Sequence, residues 1–164
     1  MRRALCVVAA VFNLLLADAV AKELAAGYLR GSPPVSVIDG FLDLAYVENR
    51  GCAWGMFQNQ VWPLALFGLF ALAFLVWKRR VFFPAYPKSK AKNAISAAAE
   101  VLLYAGIIGN MIDRMVRGYV IDFIDFHWYD KWHFPCFNIA DSCITVAAFM
   151  LVALSFAGEG KGKS

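Results

Sequence analysis

Residues 61–77 read Val-Trp-Pro-Leu-Ala-Leu-Phe-Gly-Leu-Phe-Ala-Leu-Ala-Phe-Leu-Val-Trp, and Lys78-Arg79-Arg80 follows at once. No charge interrupts the run. A hydrocarbon core about 30 Å thick takes roughly 17–25 apolar residues per helix, so this stretch spans a bilayer and stops at a basic cluster. Three further segments have the same character: about 4–21 before it, 94–111 after it, and 137–157 near the end.

The composition agrees. Of 164 residues, 61% are hydrophobic and 17% charged, against roughly 45–50% and 25% in ordinary soluble chains. A soluble domain of this size cannot hide that much apolar surface, and a disordered chain has the opposite composition. The fold expected is an all-α membrane protein with four transmembrane helices and a small extracytoplasmic β element. Residues 1–164 form a single integral membrane domain, with 158–164 as a cytoplasmic tail.

Met-Arg-Arg, an apolar stretch and the small residues Ala17, Ala19 and Ala21 also have the look of a cleavable signal peptide. Asp18 and Lys22 sit where a processing site is neutral, so span one is read as a retained helix. Ten of the sixteen basic residues lie at the N-terminus, in the 78–92 loop and in the tail. The positive-inside bias then puts both termini in the cytoplasm and residues 23–60 and 112–136 outside. Ten of the twelve carboxylates fall on or near that outer face, Glu100 and Glu159 being the exceptions. Any acid chemistry belongs there. The net charge of +4 comes without a basic helix or stacking platform, which excludes a nucleic-acid partner.

On the outer side, Gly31-Ser32-Pro33-Pro34 is a turn signal, and residues 35–47 read as a short strand element on the membrane surface. Trp128 to Trp132 read as an interfacial aromatic belt. Asp18 and Lys22, four apart, share a helix face and pair, most simply as a structural ion pair, with Asn13 roughly toward the same side. Gly106 and Gly109 allow close helix approach. Asn110 and Asp113 project alike from the end of span three. Asp113 adjoins Arg114, whose guanidinium holds it ionised, which suits a scaffold pair better than a catalytic acid. Residues 118–126 are β-branched and aromatic, hence extended, with Asp122 in apolar surroundings. Asp125 and Asp130 are read as solvated loop residues. Asn138 caps span four, and Asp141 follows one turn in. If Asp122 and Asp141 meet, their titrations split. One can then serve as general base on a water while the other, protonated, polarises a carbonyl.

Five motifs carry a more specific signal: Asp18-xxx-Lys22, Asn49-Arg50-Gly51-Cys52-Ala53-Trp54, Gly106-Ile107-Ile108-Gly109-Asn110-Met111-Ile112-Asp113-Arg114, Val120-Ile121-Asp122-Phe123 and Phe137-Asn138-Ile139-Ala140-Asp141. In this order, on a four-span frame, the chain resembles the prolipoprotein signal peptidase family, signal peptidase II. The resemblance implies a membrane-embedded, metal-free aspartic endopeptidase without a cofactor, which cuts just before a diacylglyceryl-modified cysteine. It places the catalytic pair on Asp122 and Asp141. Asp18, Lys22, Asn49, Gly51, Asn110, Asp113, Arg114, Asn138 and Ala140 fall on supporting positions. It further implies lipid-modified prolipoproteins and membrane lipids as partners, a monomer, the bacterial cytoplasmic (inner) membrane, and sensitivity to the cyclic peptide globomycin. Residues 35–47 and Asn49 to Gly51 are expected to clamp the substrate backbone by strand addition.

The chain departs from the family at Cys52 and Trp54, where Ala and Phe are usual, and at Ala105-Gly106 in place of Gly-Gly. Glu100, inside span three, has no account from the sequence. Three rivals stay behind this reading. His127, Asp130, His133 and Cys136 are potential metal ligands but lack HExxH or paired CxxC spacing. The four cysteines form no CxxC motif for a redox relay, and the sequence leaves open whether Cys52 and Cys136 pair. A transporter would place its acids along a path across the bilayer, not on one side.

Overall fold

The computed structural model describes residues 2–129 and 131–159. The chain runs α1 (Arg2–Leu29), β1 (Val35–Ile38), β2 (Leu42–Asn49), a 3-10 turn (Ala53–Gly55), α2 (Val61–Trp77), α3 (Arg79–Phe82), α4 (Lys90–Arg117), β3 (Val120–Trp128), β4 (Trp132–His133) and α5 (Ile139–Glu159). Three helical stretches are long and apolar enough to cross a membrane: Ala4–Leu29, Lys90–Arg117 and Ile139–Ala157. α2 is a shorter, wholly apolar helix of 17 residues.

Two helices outrun the expected spans. α1 continues past residue 21 to Leu29 because Asp18 and Lys22 are buried within it rather than marking its end. α4 begins at Lys90 with Ser89 as cap, its side chain accepting the Lys92 N–H at 3.2 Å. It ends at Gly118, whose φ of 77° is the left-handed conformation glycine adopts without strain. Asn13 does not join Asp18. It is exposed and donates to the Ala9 carbonyl of its own helix at 2.9 Å.

α4 is the central helix, packed against α1, α2 and α5. Val7, Val11, Leu75, Ala99, Ala105 and Ala147 form the core among the helices. Gly106 lets α5 come close, for a methyl there would meet the Ala140 carbonyl and Ile144. The apolar residues turned outward on α1, α2 and α5, such as Phe12, Phe67, Phe70 and Phe149, are what a helix needs where its surroundings are acyl chains.

The β element is larger than expected. It is a four-stranded antiparallel sheet in the order β1-β2-β3-β4. Residues 42–47 pair with β3, Leu42 against Phe126 and Val47 against Asp122, with an irregularity between Leu44 and Val47. In β3 the side chains alternate between faces. Ile121 and Phe123 pack on Ala25 and Leu29 of α1, which sends Asp122 to the opposite face. The sheet thus sits on the end of α1 and points one carboxylate toward α4 and α5. Of the aromatic stretch, Trp128 and Trp132 are paired at the ends of β3 and β4, and Tyr129 has a φ of 47°. Asp130, expected as a solvated loop residue, and the tail lysines Lys161 and Lys163 lie outside the described residues.

Candidate active site

Asp122 is 1% exposed, and both its oxygens are occupied. Oδ2 accepts from Asn49 Nδ2 at 2.9 Å, and Oδ1 accepts from Asn138 Nδ2 at 2.7 Å. Asp141 is the third residue of α5. Its backbone N–H donates to Asn138 Oδ1 at 2.9 Å, and the Asn138 N–H donates back to Asp141 Oδ2 at 3.3 Å. This is the reciprocal cap that a short polar residue and an acid three positions on can form at a helix start. Asp141 Oδ1 accepts from Asn110 Nδ2 at 2.6 Å. Asn138 therefore holds both carboxylates, one by its side-chain amide and one through the cap.

Asn110 needs orienting, since an amide presents an acceptor at one end and donors at the other. Lys22 settles it. An ammonium only donates, and Lys22 Nζ lies 3.3 Å from Asn110 Oδ1. The NH2 of Asn110 must then face Asp141. Lys22 is itself 1% exposed and sits between Asp18 Oδ2 at 2.7 Å and Asp113 Oδ2 at 2.8 Å. Asp18 Oδ1 accepts the Ala140 N–H at 2.9 Å, one of the first-turn donors that a helix cannot satisfy itself. Gly109 makes room for this contact, because a Cβ there would lie 3.0 Å from Asp18 Oδ2. Asp18 and Lys22 are thus a structural pair, and one that reaches across to α5 and the site.

One expectation is corrected. Asp113 does not pair with its neighbour Arg114. On a helix, adjacent residues diverge, while residues four apart face each other. Asp113 Oδ1 accepts from Arg117 Nε at 3.0 Å, and Arg117 also pairs with Glu23. Neither Arg117 nor Glu23 was singled out by the sequence, although the i, i+4 spacing of Asp113 and Arg117 is legible there. Arg114 turns to the loop, donating to the Gly51 carbonyl at 2.9 Å and to the Asn110 carbonyl at 3.2 Å. The Gly51 N–H in turn donates to Asn49 Oδ1 at 2.9 Å. Asn49 is thereby oriented as Asn110 is, its oxygen taken and its NH2 left for Asp122. A side chain at Gly51 would collide with the Met56 carbonyl.

All eleven residues singled out from the sequence converge on this one network. Glu100 does not. It is fully buried inside the first half of α4, about 15 Å before Asn110 by helix rise, and pairs with Arg79.

Three cavities open around the carboxylates. One of about 350 Å³ reaches Asp122 and is walled by Glu48, Gln58 and His133. A second, about 1150 Å³, runs from Asp141, Asn110 and Arg114 down apolar residues of α2 and α4 such as Leu64, Phe67 and Ile107. A third, about 710 Å³, joins Asp141 to Phe137, Ile144 and Val146. Cys52 lines all three. Trp54, 71% exposed, stands edge-on to Phe134 with ring centroids 5.8 Å apart. Its φ of 56° is left-handed, as are those of Phe57 and Asn59, and strained backbone of this sort gathers at functional sites.

Burial, and secondarily the charge of Asp141, push the Asp122 carboxyl up to about 7, against the pull of its amide partners and Lys22. Burial raises the Cys136 thiol to about 12, which keeps that side chain a thiol. His127 and His133 stack with centroids 5.1 Å apart, facing Asp43 at 3.3 Å and Asp125 at 3.6 Å. Among the described residues no group of three or more His, Cys, Asp or Glu is placed to hold a metal. What the arrangement offers is a buried carboxylate, Asp122, and a half-buried one, Asp141, at the meeting of a polar cavity and two apolar ones.

The chain has known relatives. The family model described as "Signal peptidase (SPase) II" matches residues 10–157. A protein named "Lipoprotein signal peptidase" from Syntrophotalea carbinolica is 36% identical over 138 residues, 82% of this chain and 81% of its own. Its namesake from Ectopseudomonas mendocina is 32% identical over 155 residues, covering 92% and 87%. A solved bacterial membrane enzyme, determined by the in meso method at 2.3 Å, superposes with a TM-score of 0.78 at 28% identity, over 97% of this chain and 93% of that one.

Proposed function

This chain belongs to the signal peptidase II family, and we propose on that footing that Asp122 and Asp141 are its catalytic pair. The enzyme is an aspartic endopeptidase of the membrane. It removes signal peptides from diacylglyceryl-modified prolipoproteins by cutting before the lipidated cysteine. The observation that carries the assignment of the pair is the double hold of Asn138 on both carboxylates.

The pair holds one proton between them, because burial and the charge of Asp141 both oppose ionisation of Asp122 while Asp141 is ionised. The ionised member takes a proton from water as the water oxygen attacks the scissile carbonyl. The protonated member donates to the carbonyl oxygen, which becomes a hydroxyl of the tetrahedral intermediate. Collapse returns that proton to the pair, and the amine of the lipidated cysteine leaves with the proton taken from water. Burial favours the neutral form of Asp122. The two Asn amides on Asp122 and Asp141 fix their oxygens before substrate arrives.

The cavities divide the substrate. The two that reach Asp141 have apolar walls suited to the signal helix and the acyl chains, and the one at Asp122 admits water and the chain after the cysteine. The half of β2 beyond Leu44, which β1 does not pair with, offers an edge for strand addition by the substrate backbone. α2 serves as a fourth span, with the basic loop 78–92 and both termini in the cytoplasm of a bacterial inner membrane. Residues 1–164 work as one domain and as a monomer. Asp18, Lys22, Asn49, Gly51, Asn110, Asp113, Arg114, Asn138 and Ala140 position the pair.

The test is cleavage of a diacylglyceryl-modified prolipoprotein by the purified chain in detergent, with the unlipidated precursor beside it and with EDTA in parallel. EDTA-resistant cleavage of the lipidated form alone, abolished by Asp122→Asn and by Asp141→Asn, is the expected result. Cleavage surviving either substitution in a folded variant removes that residue from the pair.

A further inference from the structure

At the end of the helices opposite the carboxylates, α1, α2 and α4 enclose a groove of about 560 Å³ that the peptidase chemistry does not use. Its wall on α1 runs from Ala4 to Leu15. At 1.5 Å per residue that is about 16 Å, half of a hydrocarbon core about 30 Å thick. The groove is one leaflet long. Its walls are apolar except at one end, where Arg79, Glu100 and Tyr104 enter it.

That end is built for a polar ligand. Glu100 is fully buried, while the Arg79 side chain paired with it keeps 39% of its surface exposed. The pair engages Arg79 Nε and Nη2, and a guanidinium carries five N–H donors, so donors remain for a second anion. Lys78 and Arg80 flank Arg79, and Lys78 Nζ lies 4.0 Å over the Trp77 ring, a pairing suited to the headgroup level. Tyr104 stands one helical turn deeper than Glu100, about 6 Å by helix rise. Its hydroxyl is buried without a hydrogen-bond partner among the described residues, and a buried hydroxyl left so is costly.

We propose that this groove binds an anionic phospholipid from the leaflet facing the 78–92 loop, one acyl chain between α1 and α2 and the phosphate on Arg79. A glycerol ester oxygen then lies at the depth of Tyr104 and accepts its hydroxyl. Charge selects the occupant: the mouth is cationic, and a zwitterionic lipid brings its own ammonium to it.

The experiment is native mass spectrometry of the full chain with phosphatidylglycerol or phosphatidylcholine of identical acyl chains. One basic contact to an anionic lipid headgroup predicts about a fivefold preference for phosphatidylglycerol. Val8→Trp fills the groove from an exposed position on its wall, and Arg79→Gln with Glu100→Gln removes the guanidinium that holds the phosphate without stranding the buried carboxylate. Both are expected to bring the two lipids to parity, with Val8→Trp cleaving prolipoprotein at the wild-type rate. Equal retention of both lipids by wild type overturns the proposal, as does a preference that persists in either variant. The readout is lipid retention, so it stands apart from whether the carboxylates have been assigned correctly.

Discussion

Asp122→Asn separates the two things that Asp122 does, because it removes the ionisation and keeps the shape. In the folded chain the carboxyl is raised from 3.8 to about 7. Each unit is worth about 1.36 kcal/mol between the two protonation states, so ionising Asp122 costs the fold about 4 kcal/mol. The sign follows from which state holds the proton more tightly. The folded chain does, so this contribution is fully present below about pH 4. It declines as the pH rises, and it is lost above about pH 7. An amide carries no such cost at any pH. At low pH the carboxyl oxygens still accept from both Asn49 and Asn138, whereas the amide turns its own NH2 toward the NH2 of one of them. The variant starts out the less stable by the cost of one mispaired donor, about 1–3 kcal/mol. Between pH 4 and pH 8 the variant therefore gains about 4 kcal/mol on wild type, or about 10 °C in a chain of this size. The other titrating groups are common to both proteins apart from Asp141, whose charge acts on Asp122, so the difference between them reads the carboxylate pair. The assay is thermal unfolding in detergent from pH 4 to pH 8. A difference between the two midpoints that stays constant from pH 4 to pH 8, or a wild type that gains on the variant as the pH rises, would refute the reasoning.

Three other outcomes follow from the network. Lys22→Met strands Asp18 and Asp113 without their shared cation, and losing one partner of a buried pair costs about 3–5 kcal/mol; the unfolding midpoint reads it, and activity falls because Asn110 is no longer oriented. Arg114→Lys keeps the charge but not the planar fork that joins the Gly51 and Asn110 carbonyls, so steady-state cleavage shows KM rising more than kcat falls. Gly106→Ala pushes a methyl into the Ala140 carbonyl and Ile144, moving the start of α5 and with it Asp141. A shift of about 1 Å costs on the order of 10²-fold in rate, which single-turnover cleavage measures with the helix content of the variant confirmed by circular dichroism.

The two carboxylates were singled out by the family resemblance, and what the residues themselves show of them is local. Asp122 is an acid in a β-branched run, and strand alternation alone opposes it to Ile121 and Phe123. Asn138 and Asp141 carry the spacing of a helix cap. What escaped are contacts between segments distant in sequence. Glu100 reads as an anomaly inside a span until α3 brings Arg79 to it. Asp113 beside Arg114 invites a pairing that helix geometry forbids, and the true partners, Lys22 and Arg117, are found on another helix and one turn on. The reach of α1 to Leu29 was hidden for the same reason, since Asp18 and Lys22 look like a membrane exit unless α4 and α5 are known to cover them. Arg114 could be placed near the site by motif alone, but its bond to the Gly51 carbonyl depends on a loop with three left-handed residues that are not glycine.

The most direct test of the catalytic pair is a comparison of rates, single-turnover cleavage of the lipidated precursor by wild type, Asp122→Asn, Asp141→Asn and the double variant. Groups that act as one unit are lost together, so each single substitution is predicted to cost as much as both. Losses that instead multiply in the double variant, or a single variant that keeps most of the wild-type rate, would contradict a shared-proton dyad of Asp122 and Asp141.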